Sequence, residues 1–146
     1  MKPSARCEAF IKGFEKCRLV AYLPTKKDKP TLGWGSTGPD IKLGMSWTQA
    51  HADARFATDL AIFSQAVSAR IDVARTTQGQ FDALVSLAYN IGAQAFAAST
   101  LLKLHNAGEY IGAAAQFARW NKQDGVALGG LTTRRAGEAA IYRGER

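Results

Sequence analysis

Apolar positions recur at helical spacing along most of the chain, and one stretch near the N-terminus departs from that spacing. A first helix is expected over residues 4–14, with an apolar face formed by Cys7, Phe10, Ile11 and Phe14. Between residues 20 and 37 the periodicity is lost, and short apolar runs alternate with Pro, Gly and a lysine-rich turn. This pattern is typical of a small, irregular β-hairpin.

Five further helices are expected after the hairpin. Capping-box patterns begin the first two, at Ser46–Gln49 and at Thr77–Gln80. The first carries an apolar stripe that reaches Ile71, and the second is expected to end at Gly92. The remaining helices are expected at residues 99–105, 109–120 and 132–142, with a glycine-rich loop at 121–131.

These elements predict an α+β fold that is mainly α. With 146 residues, of which 47% are hydrophobic, residues 1–146 are expected to form a single domain with a real core. A small N-terminal β-hairpin lobe would precede a larger helical C-terminal lobe. A cleft between two such lobes is a natural ligand site.

Composition narrows the function classes without choosing one. The net charge of +7 favours polyanions such as nucleic acid, anionic lipid or an acidic cell-wall polymer. Cys7 and Cys17 are expected to be free thiols, and neither they nor the histidines have metal-ligand spacing, so no metal site is expected. With no secretory signal and no membrane anchor recognised, a cytoplasmic protein is expected.

The candidate chemistry lies around Glu15, at the predicted end of the first helix. A carboxyl group there would face a glycine-rich hairpin that carries Asp28 and Thr31. Glycosidic bond cleavage needs such a layout, with one group protonating the leaving oxygen and others holding water. Each residue also has an ordinary explanation: a solvated helix-end Glu, a turn Asp and a strand Thr. Trp34 could stack on a sugar ring or pack in the core.

Six segments together resemble one known family. They are residues 15–22 (EKCRLVAY), 31–37 (TLGWGST), 80–92 (QFDALVSLAYNIG), 99–102 (STLL), 117–121 (FARWN) and 130–138 (GLTTRRAGE). Their sequences and order resemble the phage-type lysozymes of glycoside hydrolase family 24, and the resemblance covers most of the chain.

The resemblance is imperfect at one catalytic position. The family's usual pattern is a Glu, eight residues, an Asp or Cys, five residues and a Thr. Glu15 matches its first position, but the second falls on Pro24, and Thr31 lies one residue late. Asp28 is the nearest carboxylate that could stand in for the missing Asp. Ser36 replaces a frequent histidine.

The resemblance implies a lysozyme-like fold and hydrolysis of the β-1,4 bond between N-acetylmuramic acid and N-acetylglucosamine in peptidoglycan, for host cell lysis by a phage or prophage. Glu15 would be the acid, with water held by Thr31 and Asp28. By rough alignment, four residues would bind the saccharide: Thr37, Tyr89, Thr100 and Arg134. An inverting outcome is favoured.

The same resemblance implies a monomeric endolysin with no cofactor and no specific nucleic-acid partner. It would remain in the host bacterial cytoplasm until a holin opens the inner membrane and releases it to the cell wall. Two alternatives stay open. A lytic transglycosylase would use Glu15 alone and leave anhydro-muramyl ends, and a basic wall-binding module would have no enzymatic activity.

Overall fold

The computed structural model describes residues 1–145. Its elements, in chain order, are α1 (Ala5–Glu15), β1 (Arg18–Tyr22), β2 (Thr31–Gly33), α2 (Gln49–Ser68), α3 (Gln78–Ile91), α4 (Ala93–Ala97), α5 (Thr100–Asn106), α6 (Tyr110–Gln116), β3 (Lys122–Gln123), β4 (Val126–Ala127) and α7 (Gly129–Tyr142), with 3₁₀ turns at Val73–Arg75 and Phe117–Arg119. The predicted α+β, mainly α fold is confirmed.

The chain divides into two compact units. The hairpin unit is Ile11–Ile62, and the helical unit is Met1–Phe10 together with the chain from Phe63 onward. Nowhere in residues 1–145 does a helix have the length and apolar composition that crossing a membrane requires.

The first helix begins and ends close to the predicted residues. Ser4 caps α1, because its Oγ accepts a hydrogen bond from the amide of Cys7 at 3.3 Å. The amide of Ser4 in turn donates to Oδ1 of Asp82, 3.0 Å away. This second bond fixes the start of the helix within the helical unit.

The predicted hairpin is confirmed, including its irregularity. β1 and β2 are antiparallel, with Arg18 opposite Gly33 and Tyr22 opposite Thr31, and their register shifts between these pairs. Beneath the hairpin lies a small core formed by Ala21, Leu32, Ile41, Trp47 and Ala52. The hairpin unit therefore has apolar packing of its own to hold the strands.

One of the two predicted capping boxes is wrong. α2 begins at Gln49, and its cap is Thr48, whose Oγ1 accepts from the amide of His51 at 3.1 Å. Ser46 instead pairs with Val20 in a β-bridge, which takes its backbone out of the helix. Ile71 also lies beyond the last residue of α2.

The second capping box is confirmed at both of its hydrogen bonds. Thr77 Oγ1 accepts from the amide of Gln80, and the Gln80 side chain accepts from the amide of Thr77. The helix that follows, α3, ends at Gly92 as predicted and is buried at every position from Gln80 to Tyr89. A helix that is buried on all sides is a central core helix, which is the place of α3 in the helical unit.

Two predictions for the C-terminal part need correction. Residues 121–131 are not only a loop, because β3 and β4 form a short antiparallel hairpin there. The Asp124-Gly125 dipeptide between these strands is a strong hairpin signal. The last helix begins at Gly129, three residues before Thr132, and no side chain caps it.

Candidate active site

The carboxylate of Glu15 lies against the backbone of Gly35. A Cβ built at Gly35 would be 2.5 Å from Oε2 of Glu15 and 3.3 Å from its Cδ, so a larger residue would displace the carboxylate. Gly35 also has φ +90°, a conformation that L-residues rarely adopt. The last residue of α1 and the turn after β2 are therefore in direct contact.

This turn is closed by two backbone hydrogen bonds. The amide of Leu32 donates to the carbonyl of Ser36 at 3.0 Å, and the amide of Ser36 donates back to the carbonyl of Leu32 at 2.9 Å. Gly33 packs on the ring of Trp47, with 3.0 Å between a Cβ built there and Cζ3 of the indole. Backbone and packing thus hold the turn that contacts Glu15.

Trp34, between these glycines, is partly buried against the small core of the hairpin unit. Its indole N–H donates to Oδ1 of Asp53 at 2.8 Å, and Nε2 of the Gln49 side chain donates to the same oxygen at 2.9 Å. These two donors, with a smaller effect of the Lys12 charge, lower the pKa of Asp53. Of the two roles considered for Trp34, the structure therefore shows packing against the core.

Lys12 approaches the same ring from α1. Its ammonium lies 5.1 Å from the ring centroid of Trp34 and 4.9 Å from that of Phe56, both within cation–π distance. The two rings meet edge-to-face at 6.3 Å. Since Lys12 lies one helical turn before Glu15, the contact ties the end of α1 to the turn.

A second set of polar contacts holds the far side of the turn. Ser36, which is buried, donates from Oγ to Oδ2 of Asp59 at 2.6 Å. Arg55 bridges Asp59 at 3.0 Å and Asp40 at 2.7 Å. Hydrogen bonding to Arg55 lowers the pKa of Asp40, while the bonds from Asp40 and Asp59 outweigh partial burial and raise the pKa of Arg55.

Asp28 lies in an exposed turn between the two strands. Its Oδ2 accepts from the hydroxyl of Thr25 at 3.0 Å, and its amide donates to the carbonyl of Thr25 at 3.2 Å. These local bonds are those of an ordinary turn residue. A catalytic role for Asp28 stays a prediction.

Thr31 and Thr37 lie on either side of the closed turn. Thr31 is buried, with 6% of its surface exposed, and its hydroxyl donates to the carbonyl of Lys29 at 3.0 Å. Because that proton is engaged, the Thr31 oxygen can act only as an acceptor toward a further group. Thr37 is exposed, and its carbonyl accepts from Arg55.

The other three predicted substrate-binding residues belong to the helical unit. Tyr89 is largely buried in α3, with its ring 5.4 Å from that of Phe63, and Thr100 is exposed at the start of α5. Arg134 is buried at 3% exposure and not a surface arginine. Its Nε lies 3.4 Å from Glu138, and its Nη2 donates to the carbonyl of Ser86 at 3.3 Å.

Arg134 is part of a buried ionic cluster that the sequence reading did not identify. Arg135 and Glu138 are both fully buried, with Arg135 Nε 2.5 Å from Oε1 of Glu138. The hydroxyl of Ser86 donates to Oε2 of Glu138 at 2.5 Å, and Arg135 donates to Asn90 at 2.9 Å. Burial raises the pKa of Glu138, and the charges of Arg135 and Arg134 oppose that effect.

The sequence singled out Glu15 as a candidate, and its catalytic role stays a prediction; the residues that surround it in the structure were not singled out. Gly35 had a recognisable signal, since a glycine in a strand often marks close approach of another group. Here that group is the Glu15 side chain. Asp53 and Asp59 had no recognisable signal in the sequence, because carboxylates on the solvent side of a helix look alike there.

Comparisons with known proteins identify the family of the chain. The chain matches the family described as phage lysozyme over residues 12–138. It is 42% identical over 134 residues to the endolysin of Bacillus phage PZA, covering 90% of this chain. It covers 51% of that endolysin, so the chain spans about half the length of this relative.

Solved structures show the same fold. The endolysin from Escherichia coli O157:H7 phage FAHEc1 superposes with a TM-score of 0.83 at 40% identity, covering 97% of this chain and 93% of that chain. The muramidase domain of SpmX from Asticaccaulis excentricus gives a TM-score of 0.85 at 33% identity, with 97% of each chain covered. With a family match across most of its length, the chain belongs to the phage lysozyme family.

Proposed function

We propose that this protein is an endolysin that hydrolyses the β-1,4 bond between N-acetylmuramic acid and N-acetylglucosamine in peptidoglycan. The observation that carries the proposal is the Glu15 carboxylate held against Gly35 at the end of a helix, in a chain of the phage lysozyme family. We take residues 1–146 as one catalytic domain.

In the proposed reaction Glu15 is the general acid. Its proton passes to the glycosidic oxygen, and the bond from that oxygen to C1 of N-acetylmuramic acid breaks, with its electron pair going to the leaving oxygen. A water molecule adds to C1 from the opposite face, and Asp28 takes a proton from it. The products are a reducing muramic-acid end and a free hydroxyl on N-acetylglucosamine.

Thr31 would orient this water. Its hydroxyl donates to the Lys29 carbonyl, so its oxygen is left to accept a hydrogen from water and turn a lone pair of the water toward C1. Inversion at C1 follows if attack and departure are on opposite faces. Thr37, Tyr89, Thr100 and Arg134 complete the proposal as saccharide-binding residues.

The proposal extends to where the protein acts. It would remain in the host cytoplasm until a holin opens the inner membrane, reach the wall as a monomer, and need no cofactor or nucleic-acid partner. The net charge of +7 supports attraction to an anionic wall. Expression with and without a holin gene tests the release step, since lysis is expected only when both are present.

The catalytic proposal is tested by digesting purified peptidoglycan and analysing the products by mass spectrometry. Wild type is compared with Glu15→Gln, Asp28→Asn and Thr31→Ala. We expect reducing muramic-acid ends from wild type and none from Glu15→Gln. Thr31→Ala and Asp28→Asn should each be slower by roughly 10²-fold or more.

Each other outcome has a defined meaning. Anhydro-muramyl ends would identify a lytic transglycosylase, which the comparisons do not favour, and binding without cleavage would identify a wall-binding module. Full activity in Glu15→Gln would overturn the mechanism. Unchanged activity in Asp28→Asn would remove Asp28 and leave Glu15 and Thr31.

A further inference from the structure

Asp53 lies outside the predicted catalytic set, yet three groups from different segments converge on its carboxylate. Oδ1 accepts from the indole N–H of Trp34 at 2.8 Å and from Nε2 of the Gln49 side chain at 2.9 Å. Lys12 contributes a favourable charge. Gln49 lies one helical turn before Asp53 on α2, whereas Trp34 belongs to the turn after β2, so the indole hydrogen bond joins α2 to that turn.

The connection from Asp53 to Glu15 is short. Trp34 is bonded directly to Gly35, and the Gly35 backbone is the surface on which the Glu15 carboxylate lies. The two hydrogen bonds between Leu32 and Ser36 close the turn around Trp34 and Gly35. Because the turn is closed, a shift of the Trp34 backbone would also move Gly35. The residue that makes the indole hydrogen bond is therefore the sequence neighbour of the glycine that contacts Glu15.

The same indole is held on its face as well as at its N–H. Lys12 lies over the Trp34 ring and over Phe56, and Lys12 is on the helix that ends in Glu15. The ring of Trp34 is thus clamped between α1 and α2. Both members of the catalytic contact, the end of α1 and the turn at Gly35, are held through this one side chain.

We propose that Asp53 is a positioning residue for Glu15, acting through the indole N–H of Trp34 and the backbone of Gly35. This inference rests on the proposed function, because it assigns Asp53 a part in placing the proposed general acid. Loss of the hydrogen bond should lower kcat and leave KM nearly unchanged, because Asp53 itself is not proposed to touch substrate.

The test is a double-mutant cycle on soluble peptidoglycan strands. Trp34→Phe removes the indole N–H and keeps an aromatic ring, and Asp53→Ala removes the acceptor. Each single variant should lower kcat roughly three- to tenfold with KM within about twofold of wild type. The combined variant should be no slower than the slower single variant, because both changes break the same bond.

Asp53→Asn is the conservative variant, since its amide keeps an acceptor oxygen, and it should restore at least about half of the wild-type kcat. Asp72→Ala is the matched control. Asp72 also accepts a hydrogen bond through its carboxylate, from the amide of Ala74 at 3.1 Å, but lies in the helical unit. It should retain wild-type kcat at a temperature where every variant is folded by circular dichroism.

A second measurement does not depend on activity. Hydrogen exchange of the Trp34 indole, identified by its absence from the NMR spectrum of Trp34→Phe, should be faster in Asp53→Ala than in wild type or in Asp53→Asn. This result is expected even for a variant whose turnover is too slow to measure.

Several outcomes would overturn the inference. They are wild-type kcat in Asp53→Ala, a combined variant whose loss is the product of the two single losses, and an Asp53→Asn variant as slow as Asp53→Ala. Full activity in Glu15→Gln would instead reject the proposed general acid. An inactive Glu15→Gln beside an unaffected Asp53→Ala would reject the positioning role alone.

Discussion

The carboxylate of Glu15 occupies the space in which any residue other than glycine at position 35 would carry its Cβ, 2.5 Å from Oε2. The position of the proposed acid is therefore set by the missing side chain of Gly35. The observed position of the Glu15 side chain therefore requires glycine at position 35.

Gly35→Ala should remove most of the activity while leaving a folded protein. The new methyl group would push the Glu15 carboxylate away, and a misplacement of about 1 Å can cost roughly 10²-fold in rate. The φ of +90° adds a loss of about 1–3 kcal/mol in the free energy of unfolding. The loss of rate is measured by turnover on peptidoglycan, and the loss of stability by urea unfolding.

Gly13→Ala is the control for that substitution. Gly13 lies within α1, and a Cβ built there meets nothing within 4 Å. Alanine should therefore raise the free energy of unfolding by about 0.5–1 kcal/mol with unchanged kcat. Equal activity in Gly35→Ala and Gly13→Ala would show that the contact with Glu15 does not matter for catalysis.

Glu138→Gln should destabilise the protein by about 3–5 kcal/mol, because it leaves Arg134 and Arg135 buried without their counter-charge. Glutamine has nearly the size of glutamate, so no cavity contributes to the loss. Urea unfolding at neutral pH measures it.

Glu145→Gln removes a carboxylate from an exposed pair with Arg143, whose side chains are 50% and 54% accessible. It should change the free energy of unfolding by less than about 0.5 kcal/mol. If Glu138→Gln also lowered the free energy of unfolding by less than about 1 kcal/mol, Glu138 would be neutral in the folded state. Burial acts in that direction, because it raises the pKa of Glu138.

The two cysteines should react very differently with thiol reagents. Burial, with smaller contributions from Asp82 and other carboxylates, raises the pKa of Cys7 from 9.0 to about 12. Cys17 is free and partly exposed. At about pH 8 Ellman's reagent should label one thiol quickly in the native protein and both in urea.

The raised pKa of Cys7 also makes the free energy of unfolding depend on pH in the alkaline range. Above 9.0 the unfolded chain loses the Cys7 proton, while the folded protein keeps it until about 12. The free energy of unfolding should therefore fall as pH rises through that interval. Cys7→Ser should flatten this part of the pH dependence, and fast labelling of both native thiols would contradict the buried placement.

His105 should produce a loss of stability at mildly acidic pH. The single hydroxyl proton of Thr76 is donated to the carbonyl of Asp72, so Thr76 accepts from Nε2–H of His105, and Nδ1 then accepts from Tyr142. Burial lowers the pKa of this histidine below 6.5. The folded state thus favours the neutral ring.

Because the unfolded chain binds the proton first, this stabilisation is present above 6.5 and is lost as pH falls through the lowered folded pKa. Urea unfolding from about pH 8 to about pH 5 should show the decline. In His105→Gln the decline should be weaker, although the protein is less stable throughout. An unchanged slope would assign the acid sensitivity to other groups.

Much of the fold could be predicted because local signals and tertiary packing agreed. The capping box at Thr77, the stop at Gly92 and the glycine-rich hairpin all fit their final surroundings. At Ser46 the local signal and the tertiary packing disagreed, because β-bridge pairing with Val20 outweighed the capping pattern. A pattern within four residues carries no information about a partner 26 positions away.

The site was predictable only in part for the same reason. Glu15 was singled out from its own segment and stays a predicted catalytic residue, whereas its contact with Gly35 joins residues 20 positions apart. Arg134 was predicted to bind the saccharide, and nothing in its own segment showed that it is buried, because its partner Ser86 lies 48 residues away along the chain. Spacing along one element could not show either relationship.

The unequal thiols have a practical consequence. With Cys7 enclosed and Cys17 accessible two residues after Glu15, the natural sequence already provides one selectively addressable attachment point. A nitroxide or fluorophore placed there would report on the hairpin unit during turnover without any engineered cysteine. The label would then lie two residues from the proposed general acid.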